Sequence, residues 1–122
     1  MSNILIVEDD EQLRVLAVSL IEEAGHSATS AANKSEAMAL LRTHAPLDLV
    51  FADIGLQGEL QGGLNLATEA GRIRPGIPIL YTSGQALTDG MEAMFVEKSV
   101  FLAKPYTVDQ LKTALADALK AT

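Results

Sequence analysis

Short apolar runs alternate with helix-like segments along the whole chain, and this alternation limits the fold more than any other feature. Each run is rich in strand-forming residues and is bounded by polar or turn-forming residues. A strand that is apolar along its length is typical of a parallel sheet, which is covered on both faces. The pattern predicts one α/β unit with right-handed crossovers and helices on both faces of the sheet. The five predicted strands cover residues 2–7, 26–30, 47–53, 78–81 and 100–103.

The segments between the predicted strands have apolar residues at helical spacing and recognisable ends. Asp10 is placed to cap the first helix, and Gly25 to end it. Two later helices begin with capping-box spacing, at Asn33 and at Thr107. Helices are predicted over about residues 11–24, 34–45, 64–73, 87–96 and 108–119, of which the fourth has the poorest periodicity.

Composition narrows the classes of function. The 122 residues, 48% hydrophobic and 20% charged, suit one globular domain spanning residues 1–122, with no output domain. The net charge of −7 argues against direct nucleic-acid binding, which needs clustered Lys and Arg, and suits metal cations and basic partner surfaces. Cysteine is absent, which excludes disulfides and thiolate metal sites. With no membrane-length apolar run and no signal-peptide pattern, we expect a cytoplasmic protein without membrane contact.

Charged residues stand where the predicted strands end. Asp53 ends the third strand, Glu8 and Asp9 follow the first, and Lys104 follows the fifth. Ligands of open α/β sheets bind in the crevice outside the carboxyl ends of the strands. Taken alone, Asp53 is better explained as the cap of a turn. Together, these residues predict a charged site at one edge of the sheet.

The residue types at this edge indicate phosphoryl chemistry. Carboxylates that converge repel one another unless a cation lies among them, and hard oxygen ligands favour Mg²⁺. A lysine adds positive charge for a phosphoryl group, and the fourth strand ends in two hydroxyls, Thr82 and Ser83. This set of groups suits transfer of a phosphoryl group onto the carboxylate of Asp53.

Three motifs occur in order along the chain: Ile-Leu-Ile-Val-Glu-Asp-Asp near the start, Leu-Val-Phe-Ala before Asp53, and Phe-Leu-Ala-Lys-Pro near the end. With their spacings, they resemble the receiver domain of two-component response regulators over essentially the whole chain. The resemblance implies a flavodoxin-like (βα)5 fold, a doubly wound sheet of five parallel strands in the order 2-1-3-4-5.

The resemblance also implies roles for the charged residues. Asp53 matches the phosphoacceptor, and Lys104 matches the lysine that pairs with it and then with the phosphoryl oxygens. Asp9 would bind Mg²⁺ directly, and Glu8 through water. The backbone carbonyl of Gly55, together with Asp53, completes the implied metal ligands.

Further expectations from the resemblance concern the switch. Ser83, five residues after Pro78, matches the switch hydroxyl, with Thr82 as its rival. Phe101 matches the aromatic residue whose burial follows movement of that hydroxyl. The Lys104–Pro105 peptide bond is expected to be cis.

Partners follow from the same resemblance. A histidine kinase or histidine phosphotransfer protein would donate the phosphoryl group. Phosphorylation would then switch a surface of the fourth helix, fifth strand and fifth helix that binds a downstream protein target, and the resemblance also allows a phosphorylation-dependent homodimer. Both a stand-alone receiver and one excised from a hybrid histidine kinase or larger regulator fit the sequence. Beyond self-catalysed phosphorylation and dephosphorylation, no enzymatic activity is expected.

The sequence departs from the family pattern at Gly55 and in the loop that follows it, and two rival functions would need different residues at the site. Gly55 replaces a side chain that usually overhangs the site, and the loop over residues 57–63 looks longer than usual. A small Mg²⁺-dependent aspartyl phosphatase would need an acid where Gly55 stands. A mononucleotide binder would need a phosphate loop where Glu8 and Asp9 stand.

A receiver that is never phosphorylated is disfavoured because all the required residues are present. His26 and His44 are interpreted as solvated or packing residues.

Overall fold

The computed structural model describes residues 2–55, 62–84, 89, 93, 95–96 and 98–120. Its strands are β1 (Asn3–Val7), β2 (Ser27–Ala31), β3 (Leu49–Asp53), β4 (Ile79–Ser83) and β5 (Ser99–Ala103). Its helices are α1 (Glu11–Glu23), α2 (Lys34–Leu41), α3 (Gly62–Ile73) and α4 (Val108–Lys120), and α4 corresponds to the fifth predicted helix.

The strands form one parallel sheet in the order β2-β1-β3-β4-β5, as the resemblance implied. Each strand sends alternate side chains to opposite faces. In β1, Leu5 and Val7 pack with residues of α2 and α3, whereas Ile4 and Ile6 pack with residues of α1 and α4. Two apolar layers therefore cover the sheet, and this explains why the central strands are apolar along their whole length.

The predicted helix starts at Asp10, Asn33 and Thr107 are confirmed by their hydrogen bonds. The main-chain N–H of Leu13 donates to Asp10 Oδ1 at 3.0 Å at the start of α1. In α2, the Glu36 N–H donates to Asn33 Oδ1 at 2.9 Å. At α4, the capping box at Thr107 is closed by two reciprocal bonds, of 2.9 and 3.1 Å, with Gln110. Each bond satisfies a donor that the helix itself leaves unpaired.

Several predicted boundaries differ from the structure. Helix α2 ends at Leu41 and does not continue to residue 45. The Arg74 side chain donates to the main-chain oxygens of Leu41 and Thr43, at 3.0 and 2.8 Å, and so takes up carbonyls at the end of the helix. Strand β2 begins at Ser27, one residue later than predicted. Most of the predicted fourth helix and of the loop over residues 57–63 lies outside the described residues.

Helix α1 buries only part of its apolar stripe. Ala17 and Ile21 are buried against the sheet, but Leu13 and Leu16 remain 43% and 53% exposed. Both leucines lie in the first half of α1, near the carboxyl ends of the strands. None of the described helices is both long and apolar enough to cross a membrane.

Candidate functional site

Three charged side chains meet at the carboxyl edge of the sheet. Lys104 Nζ lies 3.0 Å from Asp53 Oδ2 and 3.0 Å from Glu8 Oε1. Asp53 ends β3, Glu8 follows β1 and Lys104 follows β5, so the meeting depends on the order of the strands. Parallel strands bring their carboxyl ends to one edge, and residues 96 positions apart in the sequence thereby share a hydrogen bond.

Main-chain hydrogen bonds fix Glu8 at this edge. Its N–H donates to the Ala31 carbonyl at 3.1 Å, and its own carbonyl accepts from Arg14 Nη1 at 3.0 Å. The second carboxylate oxygen, Oε2, accepts from the Asp10 N–H at 3.3 Å. The Glu8 carboxylate is therefore held between Lys104 on one side and the start of α1 on the other.

Hydrogen bonds also orient Asp53 and Lys104. Asp53 Oδ1 accepts from the Gly55 N–H at 3.0 Å, which leaves Oδ2 for Lys104. The Lys104 N–H donates to the Ser83 carbonyl at 2.9 Å, and the peptide bond from Lys104 to Pro105 is cis, as expected. Both carboxylate oxygens of Asp53 therefore have a hydrogen-bond donor.

Burial and charge change the pKa values of this cluster. Burial raises the pKa of Glu8 above its ordinary value, and the hydrogen bond from Lys104 only partly opposes the shift. Burial alone would lower the pKa of Lys104, but hydrogen bonds to Glu8 and Asp53 outweigh it and raise that pKa. Burial is the largest contribution to the pKa of both groups and disfavours the charged form of each, but at Lys104 the hydrogen bonds to two carboxylates outweigh it. The surroundings therefore favour the charged form of Lys104 and disfavour the charged form of Glu8.

The acidic side chains could hold a metal ion. Glu8, Asp9 and Asp53 each offer a carboxylate oxygen, and these oxygens lie within 4.8 Å of one another. Asp9 is exposed, Asp53 is half-buried and Glu8 is buried, so the group opens toward solvent on one side. Hard oxygen donors in a partly open arrangement fit Mg²⁺, which keeps several waters when bound.

An apolar pocket of about 440 Å³ adjoins the charged cluster. The exposed leucines of α1, Leu13 and Leu16, form one wall, and Tyr106 after β5 forms another. The Tyr106 ring packs at 54° to that of Phe51, with centroids 6.1 Å apart. Glu8, Asp53, Thr82 and Lys104 line the same pocket, so an apolar surface and the charged cluster share one opening.

Comparison with known proteins decides the family. The model of the response regulator receiver domain family matches residues 4–116, nearly the whole chain. This chain is a response regulator receiver domain.

Relatives and solved structures agree with this assignment. The nitrogen assimilation regulatory protein NtrX of Azorhizobium caulinodans is 31% identical over 119 residues, which are 97% of this chain and 26% of the relative. A response regulator receiver protein from Sinorhizobium medicae superposes with a TM-score of 0.87 at 32% identity and covers 98% of this chain and 95% of its own. The receiver domain of the hybrid histidine kinase CckA gives a TM-score of 0.78 at 25% identity, covering 96% and 98%. This receiver domain spans about a quarter of the length of the first curated relatives it matches.

The structure brings some of the predicted site residues into contact. In this receiver domain Glu8, Asp53 and Lys104 touch directly, and Asp9 and Gly55 lie beside them. Two others lie further along the strands. Ser83 is the buried last residue of β4, and Phe101 is the half-buried third residue of β5.

Phe101 belongs to a row of aromatic side chains on the α2/α3 face of the sheet. Its ring stacks with Phe95 at a centroid distance of 6.2 Å, and Phe95 stacks with Tyr81 at 4.3 Å. The Val96 N–H donates to the Tyr81 hydroxyl at 3.1 Å, and burial raises the pKa of Tyr81. Tyr81 lies two residues before Ser83, so the row runs from Phe101 toward the end of β4.

Sequence reasoning missed Gly63 as a residue that positions the acceptor. A Cβ atom at Gly63 would lie 2.1 Å from the Asp53 carbonyl oxygen and 2.8 Å from Ile54 Cα, far inside contact distance. The Gly63 N–H donates to the Ile54 carbonyl at 2.9 Å. The sequence predicts that the third helix begins at about residue 64, but α3 begins at Gly62, so both glycines belong to its first turn. No periodicity could have revealed this contact between α3 and the end of β3.

The two histidines lie apart from the carboxyl-edge cluster. His26 Nδ1 accepts from the Ser2 N–H at 3.1 Å, next to the amino end of β1. His44 is exposed between α2 and β3. Both placements agree with the interpretation of these residues as packing or solvated groups.

Proposed function

We propose that Asp53 accepts a phosphoryl group from a partner phosphohistidine and that residues 1–122 act as one receiver domain in two-component or phosphorelay signalling. The observation that carries this proposal is the position of Lys104 Nζ, 3.0 Å from a carboxylate oxygen of Asp53 and from one of Glu8. A lysine shared between two carboxylates is expensive to keep half-buried for structure alone. We infer that Lys104 serves the chemistry of the site, because its positive charge can stabilise the negative charge that a phosphoryl group adds at Asp53.

The transfer itself needs few steps. A carboxylate oxygen of Asp53 attacks the phosphorus of the phosphohistidine, the new O–P bond forms as the N–P bond breaks, and the electron pair of that bond returns to the imidazole nitrogen. The Gly55 N–H holds Oδ1 of Asp53 in place during the approach. Lys104 then pairs with the oxygens of the transferred group, and its raised pKa keeps it cationic at neutral pH.

Mg²⁺ belongs to the same proposal because the donor set fits it. Asp9 would bind it directly, Glu8 through water, and Asp53 and the backbone carbonyl of Gly55 would complete the protein ligands. The three carboxylates supply hard oxygens within 4.8 Å of one another. The chemistry it supplies when bound is neutralisation of the charge between the carboxylates and the phosphoryl oxygens.

The switch is proposed to run through Ser83 and Phe101. The Ser83 carbonyl accepts from the Lys104 N–H at 2.9 Å, so the end of β4 is tied to the lysine that meets the phosphoryl group. The Ser83 hydroxyl would turn toward that group and allow Phe101 to change its burial. Phe101 stacks with Phe95, so this change would reach the proposed output surface of the predicted fourth helix, β5 and α4.

Gly55 is proposed to shorten the lifetime of the phosphorylated state. A Cβ atom there would lie 3.8 Å from Asp53 Oδ1, so a longer side chain would extend over the acceptor. Without one, water or a phosphatase reaches the acyl phosphate more easily. We expect Gly55→Gln to slow the loss of the phosphoryl group in Mg²⁺ buffer, measured by intact mass over time, and Gly55→Ala to slow it less. Equal lifetimes for all three proteins would contradict this role.

The proposed partners are a histidine kinase or histidine phosphotransfer protein as donor and a downstream protein as target, with homodimerisation on phosphorylation as one form of output. Relatives include both NtrX-type regulators and the CckA receiver of a hybrid kinase. The domain therefore suits either a larger regulator or a phosphorelay. The chemistry at Asp53 is the same in both.

Phosphorylation with a small donor tests the central proposal. The protein is incubated with acetyl phosphate and Mg²⁺, and its intact mass is measured. We expect a gain of one phosphoryl group in the unmodified protein and none in Asp53→Asn. Asp48→Asn is the matched control, since Asp48 precedes the same strand at the opposite edge of the sheet, and it should gain the group normally.

Two results would contradict the proposal. One is the absence of any Mg²⁺-dependent gain with acetyl phosphate and also with a phosphorylated histidine phosphotransfer protein as donor. The other is an equal gain in Asp53→Asn, which would place the phosphoryl group elsewhere.

A further inference from the structure

The hydroxyl of Thr82 is buried without a hydrogen-bond partner among the described residues. Thr82 is only 4% exposed, and its Oγ1 contacts no donor or acceptor in the part of the chain that the structure describes. A buried polar atom normally finds a partner, because leaving one unpaired costs free energy. Valine has the same shape and would fill this position without that cost. The hydroxyl therefore calls for an explanation beyond packing.

Thr82 stands beside the acceptor. The register between β3 and β4 pairs Thr82 with Asp53. Two residues earlier on each strand, Leu80 and Phe51 pack into the α1/α4 layer, so alternation directs Thr82 and Asp53 toward that same face. Ser83, one residue later, is directed to the opposite face by the same alternation.

Thr82, whose hydroxyl is unpaired among the residues that the structure describes, lines a space that can receive a ligand. Thr82 lines the pocket of about 440 Å³ together with Asp53, Glu8 and Lys104. The Asp53 carboxylate does not need Thr82, because Gly55 and Lys104 already supply one donor to each of its oxygens. A phosphoryl group on Asp53 would add strong acceptor oxygens beside this pocket.

We propose that Thr82 is a second hydroxyl of the site, whose Oγ1–H donates to an oxygen of the phosphoryl group carried by Asp53. This inference rests on the proposed function of Asp53 as phosphoacceptor. Ser83 and Thr82 then contact the phosphoryl group from the two sides of the end of β4. The hydroxyl, which has no partner among the described residues of the free protein, gains one on phosphorylation, so its interaction favours the phosphorylated state specifically.

Binding of beryllofluoride, a tetrahedral stand-in for a phosphoryl group on a carboxylate, measures this interaction at equilibrium. The Kd is determined by isothermal titration calorimetry at saturating Mg²⁺ for the unmodified protein, Thr82→Val and Thr82→Ser. We expect Thr82→Val to weaken binding about 5- to 10-fold, the size of one hydrogen bond, and Thr82→Ser to bind within about twofold of the unmodified protein. The Kd for Mg²⁺ alone should be the same in all three, which a general distortion of the site would not preserve.

The outcomes separate this inference from the proposed function. Equal beryllofluoride affinity in Thr82→Val and the unmodified protein would overturn the role of Thr82 and leave Asp53 as the acceptor. An equal loss in Thr82→Ser and Thr82→Val would overturn it too, because shape and not the hydroxyl would then matter. If the unmodified protein neither binds beryllofluoride nor gains a phosphoryl group, the proposed function fails and this inference fails with it. Should Thr82→Val not fold, Thr82→Ala replaces it in the same comparison with Thr82→Ser.

Discussion

The two edges of the sheet use polar residues in different ways. At the amino edge, Asp48 Oδ2 accepts from the Asn3 N–H at 2.7 Å, and Arg74 donates to two main-chain carbonyls near the end of α2. These charged groups bind neutral backbone groups and lie at or near the surface. At the carboxyl edge, Glu8, Thr82 and Ser83 are the buried polar side chains of the described residues.

This difference distinguishes polar residues that stabilise the fold from polar residues that are placed for chemistry. Charges at the amino edge close turns, and each is satisfied by the backbone that it holds. At the carboxyl edge, two carboxylates share Lys104, and the Thr82 hydroxyl has no partner among the described residues. Helix α3 also packs so closely against the end of β3 that Gly63 has no room for a Cβ atom. Such an arrangement costs stability, and proteins keep it where chemistry requires it.

The largest expected effect comes from filling the contact between α3 and the acceptor strand. Gly63→Ala places a methyl group 2.1 Å from the Asp53 carbonyl oxygen, so the backbone must move. We expect a loss of roughly 2–3 kcal/mol in the free energy of unfolding, measured by urea denaturation. Gly71→Ala, in the same helix but with open space around its Cβ, should be neutral or more stable by up to about 1 kcal/mol. Equal effects at the two glycines would show that the contact does not constrain the carboxyl edge.

The next effect belongs to the amino edge. Arg74→Ala removes donors to the carbonyls of Leu41 and Thr43, and we expect a loss of about 1–2 kcal/mol in the free energy of unfolding. Phosphorylation of Asp53 should not change, because no described contact joins Arg74 to the cluster. Arg72→Ala, at an exposed position of α3, should change stability by no more than about 0.5 kcal/mol. A loss of phosphorylation in Arg74→Ala would contradict the claim that residues at the amino edge stabilise the fold without affecting the site at the carboxyl edge.

A smaller effect, opposite in sign, is expected at Thr82. Thr82→Val removes a buried hydroxyl that has no described partner, so the free energy of unfolding should rise by about 1 kcal/mol. Thr29→Val, at an exposed position of β2, is the control and should change stability by less than about 0.5 kcal/mol. Destabilisation by Thr82→Val would mean that the hydroxyl is already satisfied in the free protein.

The smallest effect depends on pH. Burial raises the pKa of Glu8 above 4.5, so the folded state binds this proton more tightly than the unfolded state. Ionisation of Glu8 therefore removes stability as pH rises from the unfolded value through the raised folded pKa. Without Mg²⁺, Glu8→Gln should raise the melting temperature at pH 7 and change it less at pH 4, as measured by calorimetry. A larger gain at pH 4 than at pH 7 would reverse the sign of the argument.

Much of the fold could be predicted because each local signal has a short-range cause. Strand residues buried on both faces must be apolar, and this made β1 and β3 visible in the sequence. The helix starts at Asp10, Asn33 and Thr107 were visible because a cap is a contact between residues three positions apart. The end of α2 was placed too late because Arg74, which contacts the end of that helix, lies about thirty residues further on.

The sequence by itself determined which chemical groups reach the carboxyl edge. Asp53, Glu8 and Lys104 each follow an apolar run, and parallel strands bring such positions together whatever the details of packing. Only the tertiary structure decided how these groups are satisfied. That Lys104 bonds both carboxylates, that Gly63 must lack a side chain and that Thr82 has no described partner all depend on distances between separate elements. Those distances follow from the register of the strands and the packing of the helices on the sheet, which no local sequence pattern encodes.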